Sequence, residues 1–106
     1  MARALIHVPA TAKRGEIIEI KTLISHVMET GYRIGVTGAP IPRDIIADFV
    51  CTYDGGEVFR AKLFPAIAAN PYITFFAVAT ASGTLTFSWT DQHGATQVQT
   101  AEITVE

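Results

Sequence analysis

The side chains with the richest chemistry in this sequence are one cysteine, Cys51, and three histidines, His7, His26 and His93. A cysteine nucleophile has to be exposed and to have a lowered pKa. Cys51 instead alternates with Phe49 and Tyr53 on one face of an apolar run, so the pattern predicts a buried, inert thiol. A blue-copper site wants a histidine and an axial methionine within a few residues of its cysteine, but Cys51 is followed by Thr52-Tyr53-Asp54-Gly55-Gly56. An iron centre of the superoxide-reductase kind needs four histidines and a cysteine; this chain is one histidine short, and the four groups lie far apart in sequence. There is no nucleophile elbow, no phosphate-cradling glycine loop before a helix and no paired acid and base. These residues predict neither a catalytic site nor a metal ligand set, and no cofactor.

Other polar groups cluster where a strand gives way to a loop. His26, Met28, Glu29, Thr30, Gly31 and Arg33 fall within eight residues. Such a segment fits either ordinary strand-end hydrogen bonding or a recognition loop, and composition does not separate the two. The irregular stretch from 26 to about 42 carries Gly31, Gly35, Gly38, Pro40 and Pro42, a density of breakers that excludes regular structure over most of it. Loops this long in small domains usually have a function.

The elements that must position these groups read as strands. Segments 3–8, 16–25, 45–53, 57–63, 72–80, 84–89 and 96–105 alternate polar and apolar residues and are separated by turn residues. In the second, Ile18, Ile20, Thr22 and Ile24 share one face while Glu19 and Lys21 share the other. In the third, Phe49, Cys51 and Tyr53 point inward and Asp48, Val50 and Thr52 outward. Residues 11–15 read as a polar turn, Asp54-Gly55-Gly56 as a hairpin and 65–71 as a connection. Leu85, Phe87 and Trp89 alternate with Thr84, Thr86 and Ser88, making Trp89 a candidate core plug whose indole N–H needs a partner. In 72–80, Ile73, Phe75 and Ala77 share one face, but Phe76 and Val78 share the other, which is a cost for a lone soluble chain and an interface for a subunit. About seven short strands without a helical window predict an all-β fold, an immunoglobulin-like antiparallel β-sandwich, over residues 1–106 as a single domain. Without a cysteine pair, it is not an antibody-type domain.

Size and charge agree with a self-supporting fold. A chain of 106 residues, 49% hydrophobic and 17% charged, buries roughly 65% of its unfolded surface, which rules out disorder. Eight basic residues against ten acidic ones give a net charge of −2, without the basic stripe that nucleic acid requires. No run approaches the ~20 apolar residues of a membrane span. The start, Met1 to Pro9, is too short and polar for a secretory segment, which alone would predict the cytoplasm.

The run Ile24-Ser25-His26-Val27-Met28-Glu29-Thr30-Gly31-Tyr32-Arg33 resembles SoxZ, the smaller subunit of the SoxYZ carrier of the bacterial thiosulfate-oxidising (Sox) system. Ile41-Pro42 closing the loop, Phe49-Val50-Cys51 before a glycine turn, Asn70-Pro71-Tyr72 opening a strand, and Trp89-Thr90-Asp91 with Gly94 are similar to that family and in its order. The resemblance covers nearly the whole chain, and His-x-Met-Glu-Thr-Gly is its specific element. One departure is the stretch Ile34-Gly35-Val36-Thr37-Gly38, uncharged where the family often has a Lys- and Asp-containing segment.

The resemblance implies a non-catalytic subunit that pairs with SoxY, as a heterodimer or a doubled heterotetramer, and makes transient contacts with other Sox enzymes. SoxY would supply the C-terminal Gly-Gly-Cys-Gly-Gly arm that carries sulfur covalently, so Cys51 would not. The contacts expected for SoxY are His26, Met28, Glu29, Thr30, Gly31 and Arg33 of the loop and Phe76 and Val78 of the strand. The family implies the periplasm, reached by export with the signal-bearing partner, and so reverses the cytoplasmic expectation. The rival readings from the residues are a metal-dependent redox protein using His7, His26, His93 and Cys51, and a stand-alone structural or adhesion module.

Overall fold

A computed structural model describes residues 3–65 and 67–106. Met1 and Ala2, at the start of the segment read for a secretory signal, and Ala66, in the 65–71 connection, lie outside the described residues. Among the described residues, eight strands run in chain order: β1 (Ala4–His7), β2 (Thr11–Ala12), β3 (Ile17–Ile24), β4 (Ile46–Tyr53), β5 (Gly56–Lys62), β6 (Tyr72–Val78), β7 (Gly83–Asp91) and β8 (Thr96–Val105). They form two sheets, ordered β1-β3-β6 and β2-β8-β7-β4-β5, and no helix occurs among the described residues. The chain is an all-β sandwich.

The sheets form where period-2 patterning has two apolar faces to bring together. Ile18, Ile20, Thr22 and Ile24 of β3 are all buried, as are Phe49, Cys51 and Tyr53 of β4 and Leu85, Phe87 and Trp89 of β7. Fully burying an aliphatic or aromatic side chain of this size contributes roughly 1.5–3 kcal/mol. Thr22 is the polar member of that core, and its hydroxyl donates to the Ile73 carbonyl at 2.9 Å. Aromatic rings tie the layers together: Phe75 of β6 meets Phe49 of β4 edge-on at 6.1 Å and stacks on Phe59 of β5 at 4.4 Å. Among the described residues, no buried side-chain nitrogen or oxygen lacks a hydrogen-bond partner.

The differences from the sequence expectation are local. Residues 11–15 are not simply a turn: Thr11 and Ala12 pair with Thr104 and Val105 in parallel, among the described residues the one departure from antiparallel pairing, and add a strand that the sequence reading lacked. A two-residue strand has no periodicity to reveal it. The hairpin expected at Asp54-Gly55-Gly56 turns on Asp54 and Gly55, whose φ angles of 50° and 82° suit the type I′ turn that matches strand twist. The long loop is partly ordered by two isolated bridges, Glu29 with Asp44 and Ile34 with Pro40.

Candidate functional site

The loop that leaves β3 is held at its base by its own residues and by two neighbouring turns. The backbone N–H of His26 donates to the Asn70 side-chain oxygen at 3.0 Å, and the Asn70 N–H returns to the His26 carbonyl at 2.7 Å. The chain then doubles back. Met28 has a φ of 50° and donates its N–H to His26 Nδ1 at 2.9 Å, so the neutral imidazole carries its proton on Nε2. That Nε2 faces Asp44 Oδ1 at 3.6 Å, and His93 Nε2 approaches the same oxygen at 4.0 Å.

Glu29 and Asp44 exchange backbone hydrogen bonds at 2.8 and 2.9 Å, closing residues 29–44 into a projecting arm. The Glu29 carboxylate receives Arg33 through Nη2 at 2.6 Å and Nε at 3.4 Å. This side-chain hydrogen bond is the main cause that holds the Glu29 carboxyl below its ordinary range, with the Arg33 charge adding to it. The Thr30 hydroxyl accepts the Tyr32 N–H at 3.2 Å. Gly31 sits at φ 88°, and a Cβ there would meet Arg43 Cβ at 3.1 Å, so the tight return past Arg43 needs glycine. Arg43 in turn donates Nε to Gln92 Oε1 at 3.0 Å, and that oxygen also receives the Ile45 N–H. Asp91 fixes the adjoining turn by accepting the His93 and Ala95 N–H groups at 2.8 and 2.9 Å.

Between the loop base and this turn lies an open cleft of about 470 Å³, lined by His26, Asp44, Trp89, Asp91 and Gln97 among others. Its lining also carries the hydroxyl side chains of Ser25 and Thr96, and it holds no cysteine. Cys51 lies in the core, where loss of hydration pushes its thiol up to about 12, so it is protonated and unreactive at neutral pH. His7, at the end of β1, pairs across from Lys21 of β3 and takes no part in the His26–Asp44–His93 contacts. Among the described residues, no three His, Cys, Asp or Glu side chains are placed to hold a metal ion. Among the described residues, no helix is long and apolar enough to cross a membrane.

The expected contact residues thus fall into two separate patches. His26, Glu29, Thr30, Gly31 and Arg33 come together at the base of the arm. Phe76 and Val78 lie on the exposed face of β6, with Val78 paired to Ile17 at the far end of β3, some 20 Å away at ~3.3 Å per strand residue. Met28 departs from expectation. It is only 4% exposed, and its thioether accepts the Ile46 N–H at 3.3 Å. It is therefore a core plug that anchors the loop and not a surface contact. Asn70, Asp44, Arg43 and Gln92 were missed because their partners are distant in sequence. The only signals were the turn residues beside them, Asn-Pro at 70–71 and Asp-Gln-His-Gly at 91–94.

A family model described as sulphur oxidation protein SoxZ matches residues 6–102. No curated protein sequence matches the chain. Among solved structures, the fold is similar to a superoxide reductase (neelaredoxin) from Ignicoccus hospitalis, with a TM-score of 0.73 and 18% identity over 97% of this chain and 80% of that one. It is also similar to the sulfur carrier protein SoxY from Chlorobium limicola f thiosulfatophilum, with a TM-score of 0.67 and 12% identity over 97% of this chain and 78% of that one. At these identities the likeness is one of fold.

Proposed function

The chain belongs to the SoxZ family of sulphur oxidation proteins, and from that membership we propose that it is the non-catalytic subunit of a SoxYZ-type carrier. In this reading it is a rigid sandwich that holds SoxY, while SoxY carries sulfur intermediates covalently on its C-terminal cysteine arm. The observation that carries the reading is the family match, which spans residues 6–102. The buried Cys51, with its thiol pushed up to about 12, supports the division of labour, because a sulfur carrier needs a thiolate within reach of visiting enzymes. The arm base from His26 to Arg33 offers a fixed, polar surface suited to partner or enzyme contact, and the apolar β6 face suits a lasting subunit interface. The pair would work in the periplasm, the chain travelling with SoxY.

The test is co-expression with SoxY followed by native mass spectrometry. A one-to-one complex, or twice that mass for a heterotetramer, is the expected result. A chain that stays monomeric beside soluble SoxY overturns the reading and favours a stand-alone module.

A further inference from the structure

Sheet edges need protection, because an unpaired strand presents open N–H and C=O groups to any other extended chain. Three open edges here are protected. The β1 strand has four residues, β5 carries Glu57, Arg60 and Lys62, and the open length of β8 is rich in Gln and Thr with Glu102 on its outer face. The β6 strand has none of these devices. It runs Tyr-Ile-Thr-Phe-Phe-Ala-Val with no charge, proline or register shift, and β3 is its only paired neighbour among the described residues.

The backbone parity of β6 follows from its ends. The Pro71 carbonyl accepts the Ile24 N–H at 3.2 Å, and Ala79 exchanges bonds with Glu16 and Gly15 at 2.8 Å. Odd-numbered residues therefore face β3, and Tyr72, Thr74, Phe76 and Val78 turn their N–H and C=O groups to the open side. A groove of about 440 Å³ lies along that side, lined by Phe76, Val78 and Thr80 and by Tyr53, Glu57 and Val58 of the other sheet. The sheet face above it exposes Leu5 by 62%, Ile17 by 69%, Tyr72 by 60%, Phe76 by 62% and Val78 by 50%, to either side of the Glu19–Lys21 ion pair. At ~150–250 Å² for a full large side chain, these five residues amount to roughly 600 Å² of exposed side chain around that pair. A standard interface buries about 800 Å² per partner, so the face and the β6 edge together approach what a stable pair needs.

We infer that β6 is the docking edge for a strand of the partner subunit, so that one continuous sheet crosses the interface. The inference rests on the partner reading above. SoxY has a sandwich fold similar to this one, and a sandwich brings edge strands of its own. The added strand bonds to the backbone of Tyr72, Thr74, Phe76 and Val78, and its outward side chains cover Phe76, Val78 and Ile17.

Amide hydrogen exchange, read residue by residue on the chain alone and in complex with SoxY, tests this. The even-numbered amides of β6 exchange freely alone and slow by at least about 100-fold in the complex, while Phe75 and Ala77 are protected in both. As a second measurement, T74P removes an outward N–H without touching the β3 ladder, and it should weaken SoxY binding at least tenfold. A complex in which those amides stay fast overturns the inference and leaves the partner reading standing. Absence of any complex overturns both. Protection that appears in the chain alone and rises with concentration assigns the edge to a second copy and also overturns the inference.

Discussion

Replacing Met28 tests whether the His-x-Met turn is a core anchor. The Met28 side chain is buried, its sulfur accepts the buried Ile46 N–H, and its backbone sits at φ 50°. Met28→Ala removes the buried side chain, a loss of about 2–5 kcal/mol. It also strips the Ile46 N–H of its acceptor, which costs about 1–3 kcal/mol where water does not enter. The two overlap, so the expected loss is roughly 3–5 kcal/mol, a large part of the ~5–15 kcal/mol that holds a domain together. Met28→Gly separates side chain from backbone. Glycine is normally worse than alanine by about 0.5–1 kcal/mol, but at a left-handed φ it avoids ~1–2 kcal/mol of strain. The glycine variant should therefore be more stable than the alanine variant by about 0.5–1 kcal/mol. Met28→Leu, which nearly conserves volume, should lose about 1.5 kcal/mol or less and bind SoxY with unchanged affinity. Urea denaturation of the three variants measures all of this. A Met28→Ala variant within about 1 kcal/mol of the parent, or a glycine variant less stable than the alanine one, refutes the reasoning.

Cys51→Ser should leave sulfur turnover by the complex intact and lower stability by roughly 1–3 kcal/mol, because the hydroxyl enters a buried apolar site; turnover by the reconstituted pair and thermal melting check the two halves. Glu29→Gln tests the ion pair by pH. Because the folded carboxyl lies below its ordinary value of 4.5, its stabilisation is full above that pH and is lost as pH falls through the folded value. Urea midpoints from pH 7 to pH 3 should fall more steeply for the parent than for Glu29→Gln. Phe76→Asp should weaken SoxY binding at least tenfold in a titration while the melting temperature of the chain alone stays nearly constant, since Phe76 is exposed.

The sandwich was legible because its strands are half-buried, and burial writes a period of two into the residues. β3, β4 and β7 show this: the inward residues named from alternation are buried. Pairing that depends on backbone alone leaves no such mark. The parallel contact of β2 with β8 and the ladder from Glu29 to Asp44 could not be read for that reason. The loop motif was visible as a cluster, but its inner division was not. Met28 stands among polar residues with the spacing of a surface turn, and only its left-handed backbone turns the side chain into the core. The polar frame of Asn70, Asp44 and Gln92 joins segments 40 or more residues apart in some of its bonds, beyond any local pattern.

The most direct test of the central claim is intact-mass analysis of both subunits from a co-expressed complex that has been turning over a reduced sulfur compound. Sulfur adducts confined to SoxY, with this chain at its unmodified mass, are the predicted result. An adduct on Cys51 would contradict the account, because it would make this chain a carrier in its own right.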